Sequence, residues 1–355
     1  MKVNFQAVLM YVYKNFSLRR LVAFSGIHLL WLLLWAASVT LLYELTDWEW
    51  FFIPWLPLSL IGTAVAFYVG FKNNQSYGRL WEARKIWGAI VNSSRAWGST
   101  VKGFVNDQFV SEALSPEEVY YHRQTLIYRQ IAWLYALRSQ LLIPTTWEHI
   151  SQGLHFGRFI ERRMNRFGIG LYGDDVTETQ LKFFLPESEY KRLLACKNTA
   201  TQIIDQQSQH LSDLRRADLI DDFRHVELQK ILYDFYVHQG KCERIKKFPL
   251  PRQYGSMSMI FVGIFIFLLP FGMVAEFHKL LGESGTWLSI PFTALAGWVY
   301  LMMELVGDYS ENPFEGLGND IPMYSLCRTI EIDLREMLGE SELPPAVEAK
   351  NGVLM

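Results

Sequence analysis

Residues 53–71 read IPWLPLSLIGTAVAFYVGF, and residues 72–88 read KNNQSYGRLWEARKIWG. The first stretch is about one membrane thickness of uncharged sequence. The second is polar, basic and aromatic, and no turn signal separates the two. A single helix that begins in lipid and continues into the cytoplasm is the simplest reading. Two stripes recur every fourth residue along its membrane half. Gly62, Ala66 and Gly70 share a face and predict a close helical neighbour, because small residues let backbones approach. Thr63, Phe67 and Phe71 lie one residue, about 100°, further round. They face the next space, which is lipid, a packed core or a central pore.

Working outward, LVAFSGIHLLWLLLWAASVTLLY, Leu21 to Tyr43, is also long enough to span a bilayer, and too long for the apolar core of a signal peptide. His28 within it reads as a hydrogen-bonded packing residue rather than a ligand. Met1 to Arg20 mixes apolar positions with Lys2, Lys14, Arg19 and Arg20, as an amphipathic interfacial segment does. The connection Glu44 to Trp50, ELTDWEW, has acids, interfacial tryptophans and no Lys or Arg. Pro54 and Pro57 suit the first turn of the next helix. Lys72, Arg79, Arg84 and Lys85 follow the second span, so the positive-inside rule puts Met1 to Arg20 and the region from Lys72 in the cytoplasm. Ser256 to Ala275, with Pro270 as a kink, and Thr286 to Met303 complete four spans, joined by a short outer loop from Phe277 to Gly285. Both termini then lie inside, and the inner (plasma) membrane of the cell is the expected location.

Between Lys72 and Arg252 no stretch spans a membrane, and the pattern is helical. Ser115 followed by Pro116, Glu117 and Glu118 is a helix start. Tyr120 to Leu141 places Ile127, Ile131 and Leu134 on one face and Arg123, Arg129 and Arg138 elsewhere. Pro186 opens a further helix. Asp205 to Gln239 is a long helical stretch with a break near Asp221 and Asp222, and Gly240 suits its C-cap. Arg166 to Asp175 is glycine-rich and reads as a loop; its spacing does not fit a phosphate loop. From Glu331 the chain is acidic and loses apolar periodicity, which predicts a disordered end.

Composition narrows the function. The 355 residues carry a formal charge of −2, which gives no field for nucleic acid. Half are apolar and 15% aromatic, as in membrane spans joined to a polar domain. Three distant cysteines, Cys196, Cys242 and Cys327, make neither a disulfide framework nor a zinc site. Asp221 with His225, and Asp234 with His238, stand at i,i+4, but no HExxH, paired Glu-x-x-His, GxSxG or phosphate loop occurs. The sequence therefore gives no support for an enzyme and predicts no metal site.

Three separated motifs resemble those of bacterial bestrophin-like proteins: GFKNNQSYGRLWEARKIWG (Gly70 to Gly88), CERIKKFPLPRQY (Cys242 to Tyr254) and ENPFEGLGNDIPM (Glu311 to Met323). The resemblance implies an all-α subunit with four transmembrane helices and a large helical cytoplasmic domain, assembling as a homopentamer around a central pore. The implied layout is an N-terminal segment 1–20, spans within 21–72, a cytoplasmic domain 73–252, spans within 253–310, and a cytoplasmic segment and acidic tail 311–355. It implies an ion channel for chloride or other small anions, partnered by lipid, permeant ions and copies of itself. A cation-selective channel and a non-conducting scaffold or sensor are the alternatives. The family's hydrophobic neck falls on Thr63, Phe67 and Phe71. Thr63 departs from the aliphatic residue usual there, which makes the outer end of the neck wider or wetter. A second, cytoplasmic constriction falls on Phe223, where Asp221 and Asp222 would favour cations. Animal relatives hold calcium with an acidic run just after NPF. Here that place reads EGLGND, so no calcium and no other cofactor is expected.

Overall fold

The computed structural model describes residues 18–46, 52–111, 114–152, 175–316, 320–348 and 354. The interfacial reading of Met1 to Arg20 lies almost wholly outside these residues, as does the loop reading of Arg166 to Asp175. Ten α-helices are described: α1 (Leu18–Leu45), α2 (Trp55–Phe104), α3 (Pro116–Leu142), α4 (Asp175–Phe184), α5 (Glu187–Leu194), α6 (Thr199–Arg216), α7 (Asp222–Lys247), α8 (Arg252–Leu281), α9 (Glu283–Asp308) and α10 (Met323–Leu338). No strand occurs among the described residues. The fold is all-α, and α1, α2, α8 and α9 are each long and apolar enough to cross a membrane.

The chain divides into two units, one holding residues 13–80 and 249–311, the other 81–248 and 312–355. The 50-residue α2 contributes to both. Its length, about 75 Å at 1.5 Å per residue, exceeds any bilayer. Its buried positions alternate by three and four: Leu58, Gly62, Val65, Val69, Lys72 and Ser76 in the first unit, then Ala83, Ile86, Trp87, Ile90, Ser94, Trp97 and Val101 in the second. This spacing follows one face of a helix, whereas an every-fourth-residue stripe drifts round by about 40° per step.

In the first unit α1, α8 and α9 pack around a core of Leu32, Val262, Phe265, Ile266, Leu269 and Ala294, against which α2 places Leu58, Val65 and Val69. Small residues set the approach. A Cβ at Gly272 would meet Leu58 Cδ2 at 2.4 Å, and one at Gly297 would meet Leu32 Cδ2 at 3.0 Å. The outward side chains, among them Leu30, Leu34, Leu60, Ile264, Phe267, Phe292 and Leu295, are exposed and apolar, as lipid contact requires. The expected outer loop from Phe277 to Gly285 is instead a single residue. Gly282 turns the chain between α8 and α9 at φ 69° and ψ −161°, a conformation open essentially to glycine alone.

In the second unit α3 is buried nearly all round from Leu126 to Leu142. It starts where Ser115 to Glu118 predicted, and there Ser115 and Glu118 close a capping box. Its arginines do not form a solvated face: Arg129 is buried against Glu189, and Arg138 is buried with its guanidinium 5.1 Å from the Tyr324 ring centre. Trp97, Trp133 and Phe235 form an aromatic cluster that ties α2, α3 and α7 together. The break near Asp221 is present, with Asp218 at φ 52° between α6 and α7. Gly240 is not a C-cap. The helix continues to Lys247, because Cys242, Ile245 and Lys246 have buried places beyond it and Pro249 is the first residue unable to follow. Glu331, where the acidic tail starts, is buried in α10 and accepts the Tyr135 hydroxyl at 2.5 Å.

Candidate functional site

On α2 the residues opposite the packed face are Thr63, Phe67 and Phe71. Taking Gly62 as the origin, the packed side chains from Leu58 to Ser76 centre near 320°, and the three lie at about 100°, 140° and 180°. Phe67 is 82% exposed and Phe71 47%. The Phe71 ring lies 6.0 Å from that of Tyr254, centroid to centroid. The Thr63 hydroxyl donates to the Ser59 carbonyl at 2.9 Å, which satisfies it within its own helix.

The stripe Gly62, Ala66, Gly70 separates along its length. Gly62 is buried, and a Cβ there would meet Phe265 at 2.8 Å; its carbonyl accepts the Tyr300 hydroxyl at 3.0 Å. Ala66 is half-buried, and Gly70 has open space around it. The 40° drift carries the stripe from the packed face toward the exposed one.

Lys72 is no solvated boundary marker. It is 2% exposed, and its ammonium donates to the Glu304 carboxylate, whose second oxygen accepts the Ser258 hydroxyl. Asn73 Nδ2 donates to the Met303 carbonyl at 2.9 Å. Nearby, Arg79 Nε donates to the Glu311 carbonyl at 2.7 Å, and Arg252 pairs with the Glu311 carboxylate at 2.9 Å. Burial pushes the Glu311 carboxyl up, against the pull of Arg252. Arg84 and Lys85 remain exposed. The pairing was not read from sequence, although Lys72 and Glu304 each close an otherwise apolar stretch.

Within the second unit Phe223 is 85% exposed at the start of α7. Asp221 is the N-cap of that helix and accepts Arg224 N at 2.8 Å. Asp222 pairs with Arg215 at 2.5 Å, which draws its carboxyl down. The i,i+4 histidine pairs are not the contacts formed: His238 Nε2 lies 3.1 Å from Ser93 Oγ instead. A different chain of polar groups was not read from sequence. Arg129 bonds Glu189 and donates to His210 Nδ1 at 2.8 Å, so His210 carries its proton on Nε2, 3.2 Å from His122 Nδ1.

The segment after NPF is held by a buried charged cluster. His149 Nδ1 meets Glu315 at 2.8 Å, and Asn312 Nδ2 donates to the same carboxylate at 2.7 Å. The Lys246 ammonium donates to Glu148 and to the Phe314 carbonyl. Burial raises the Glu148 carboxyl, and Lys246 opposes that rise.

Four helices long and apolar enough to cross a bilayer, an apolar outer surface and buried charge pairing between two of them define a multi-span membrane protein. The chain belongs to the bestrophin family: residues 19–336 match the family described as Bacterial/Fungal Bestrophin protein. It is 26% identical over 308 residues to the voltage-dependent anion channel-forming protein YneE of Escherichia coli K12, covering 84% of each chain. It is 27% identical over 289 residues to the similarly named protein mll4386 of Mesorhizobium japonicum, covering 81% of this chain and 76% of that one. A crystal structure of a bacterial bestrophin homologue from Klebsiella pneumoniae has the same fold, with TM-score 0.71 at 22% identity over 89% of this chain and 99% of that one.

Proposed function

We propose that the protein is an ion channel that passes chloride or other small anions through a neck lined by Thr63, Phe67 and Phe71 of five identical subunits. The observation that carries this reading is the exposed Phe67 and Phe71 face on a helix whose opposite face is fully packed. Relatives named as voltage-dependent anion channel-forming proteins support the sign of the permeant ion. Rings of apolar side chains conduct when wet and block when dry, so the neck gates without any charge on it.

The state of Asp221 and Asp222 supports anions over cations. One carboxylate caps a helix and the other is paired with an arginine, so neither offers the bare charge that holds a cation. The cytoplasmic constriction is assigned to Phe223. We assign the termini and the region from Trp81 to Phe248 to the cytoplasm, on the exposed Arg84 and Lys85 and the acidic connection before α2. The membrane is the bacterial inner membrane. Calcium has no role in this reading. Lys246 supplies the positive charge at Glu148 and the Phe314 carbonyl, and Glu315 is engaged by His149 and Asn312.

The test is reversal potential in a planar bilayer with purified protein and a potassium chloride gradient. A shift toward the chloride equilibrium potential is expected. A shift toward that of potassium overturns the ion assignment, and absence of current at every voltage overturns the channel.

A further inference from the structure

We propose that Lys72 and Asn73 form a rotational stop for α2: they are positioning residues that set the angle at which Thr63, Phe67 and Phe71 face away from the packed helices. The functional half of this proposal rests on reading those three residues as the neck.

Lys72 follows Phe71 directly. Its ammonium is buried against Glu304 of α9, and Ser258 of α8 donates to the other oxygen of the same carboxylate. Asp308, one turn after Glu304, stands 3.9 Å from the Lys72 nitrogen. Asn73 donates to the Met303 carbonyl and lies over Gly307, where a Cβ would come within 2.0 Å of Asn73 Oδ1. Consecutive helical residues point about 100° apart. Lys72 and Asn73 therefore leave α2 at the two edges of its packed face. Turning the helix one way draws Lys72 off Glu304. Turning it the other way draws Asn73 off Met303. One movement strands the buried Lys72–Glu304 charges and the other the half-buried Asn73 amide, each at a cost. Val65 and Val69, the apolar contacts between, pack without the directionality of a hydrogen bond, because burial of apolar surface is non-directional. The Tyr300 hydroxyl on the Gly62 carbonyl is a weaker pin nearer the other end of the stretch. The angle of Phe71, one residue from the stop, is thus fixed by these directional polar groups in addition to the packing of Val65 and Val69.

The test compares the full-length protein in liposomes with K72M/E304M, which removes both charges together and leaves neither buried alone, and with N73L. The angle is read by substituting F71C, with C196S to silence the one partly exposed native thiol; Cys242 and Cys327 are buried. The labelling rate of the introduced thiol by a charged methanethiosulfonate is expected to change several-fold in either background, because its accessibility follows the angle of the helix. Open probability is expected to change in parallel. A wild-type labelling rate in folded K72M/E304M, or in N73L if the double variant does not fold, overturns the stop. Changed labelling without any ionic current, in wild type and variants alike, keeps the stop and rejects the neck.

Discussion

Phe67 projects from a helix whose opposite side is closed by Val65, Val69 and Lys72, so its side chain is free to serve whatever lies beyond the protomer. If that is the pore, F67A/F71A widens the apolar constriction and lowers its dewetting barrier. Single-channel recordings should show conductance or open time raised several-fold; unchanged currents from a folded double variant would place the neck elsewhere. His210 permits a second residue-level prediction. Burial, Arg129 and His122 push its pKa down from 6.5 to about 4. Because the folded value lies below the unfolded one, its contribution to stability is complete above about pH 6.5 and is lost as pH falls toward 4. H210Q keeps an acceptor for Arg129 and a donor for His122 but does not titrate. Thermal midpoints measured across that range should fall less steeply in H210Q than in wild type. Parallel curves would mean that other groups carry the acid sensitivity.

At the level of elements, the long apolar segments were legible because a spanning helix must be uncharged over its whole length. The start of α3 was legible because a capping box is a local, chemically explicit signal. Helix ends were less so. Gly240 has the residue type of a C-cap, but tertiary places for Cys242 and Ile245 carry α7 onward. The turn at Gly282 was read too long because the residues on either side, Phe277 to Leu281 and Glu283 to Gly285, are polar enough for a loop yet remain helical. On α2 the exposed stripe was visible from periodicity, whereas the role of Lys72 was not, since a lysine ending an apolar run ordinarily marks the interface. Its partner lies 232 residues away in sequence. The same limit hid the cluster that holds residues 312–316. Two predictions follow from these elements. K246M leaves Glu148 buried without its ammonium, an expected loss of ~3–5 kcal/mol. Chemical denaturation should show it, and a loss under 1 kcal/mol, a cut-off of the order expected for an exposed pair, would mean that the pair is solvated. G282A forces a side chain into a backbone region open to glycine, for a cost of about 1–3 kcal/mol read the same way.

For the whole molecule, the described protomer leaves two kinds of apolar surface that need different partners. Leu30, Leu34, Leu60, Ile264, Phe292 and Leu295 belong to helices of spanning length, and lipid satisfies them. Phe223, Val226 and Tyr233 lie on α7, which carries eight charged residues from Glu227 to Lys247 beside Asp222 and Arg224 and is no membrane span. These three recur at spacings of three and seven on one side of the helix, and the chain continues to Gly240, around which space is open. Lipid cannot cover a helix of that composition, so another copy of the chain, or the water of a central pathway, is the fitting neighbour. Self-assembly around an axis supplies both, because each copy offers one edge to its neighbour and one face to the lumen. The subunit count is the direct measurement. Graded amine cross-linking of the purified protein in detergent should build a ladder that stops at five copies, and native mass spectrometry should give a matching multiple of 41.4 kDa. A ladder that stops at two, three or four would leave α2 with its exposed phenylalanines but remove the five-fold neck. A protein that stays monomeric at every concentration would require the Phe67 and Phe71 face to be lipid-exposed, and the conduction proposal would fall with it.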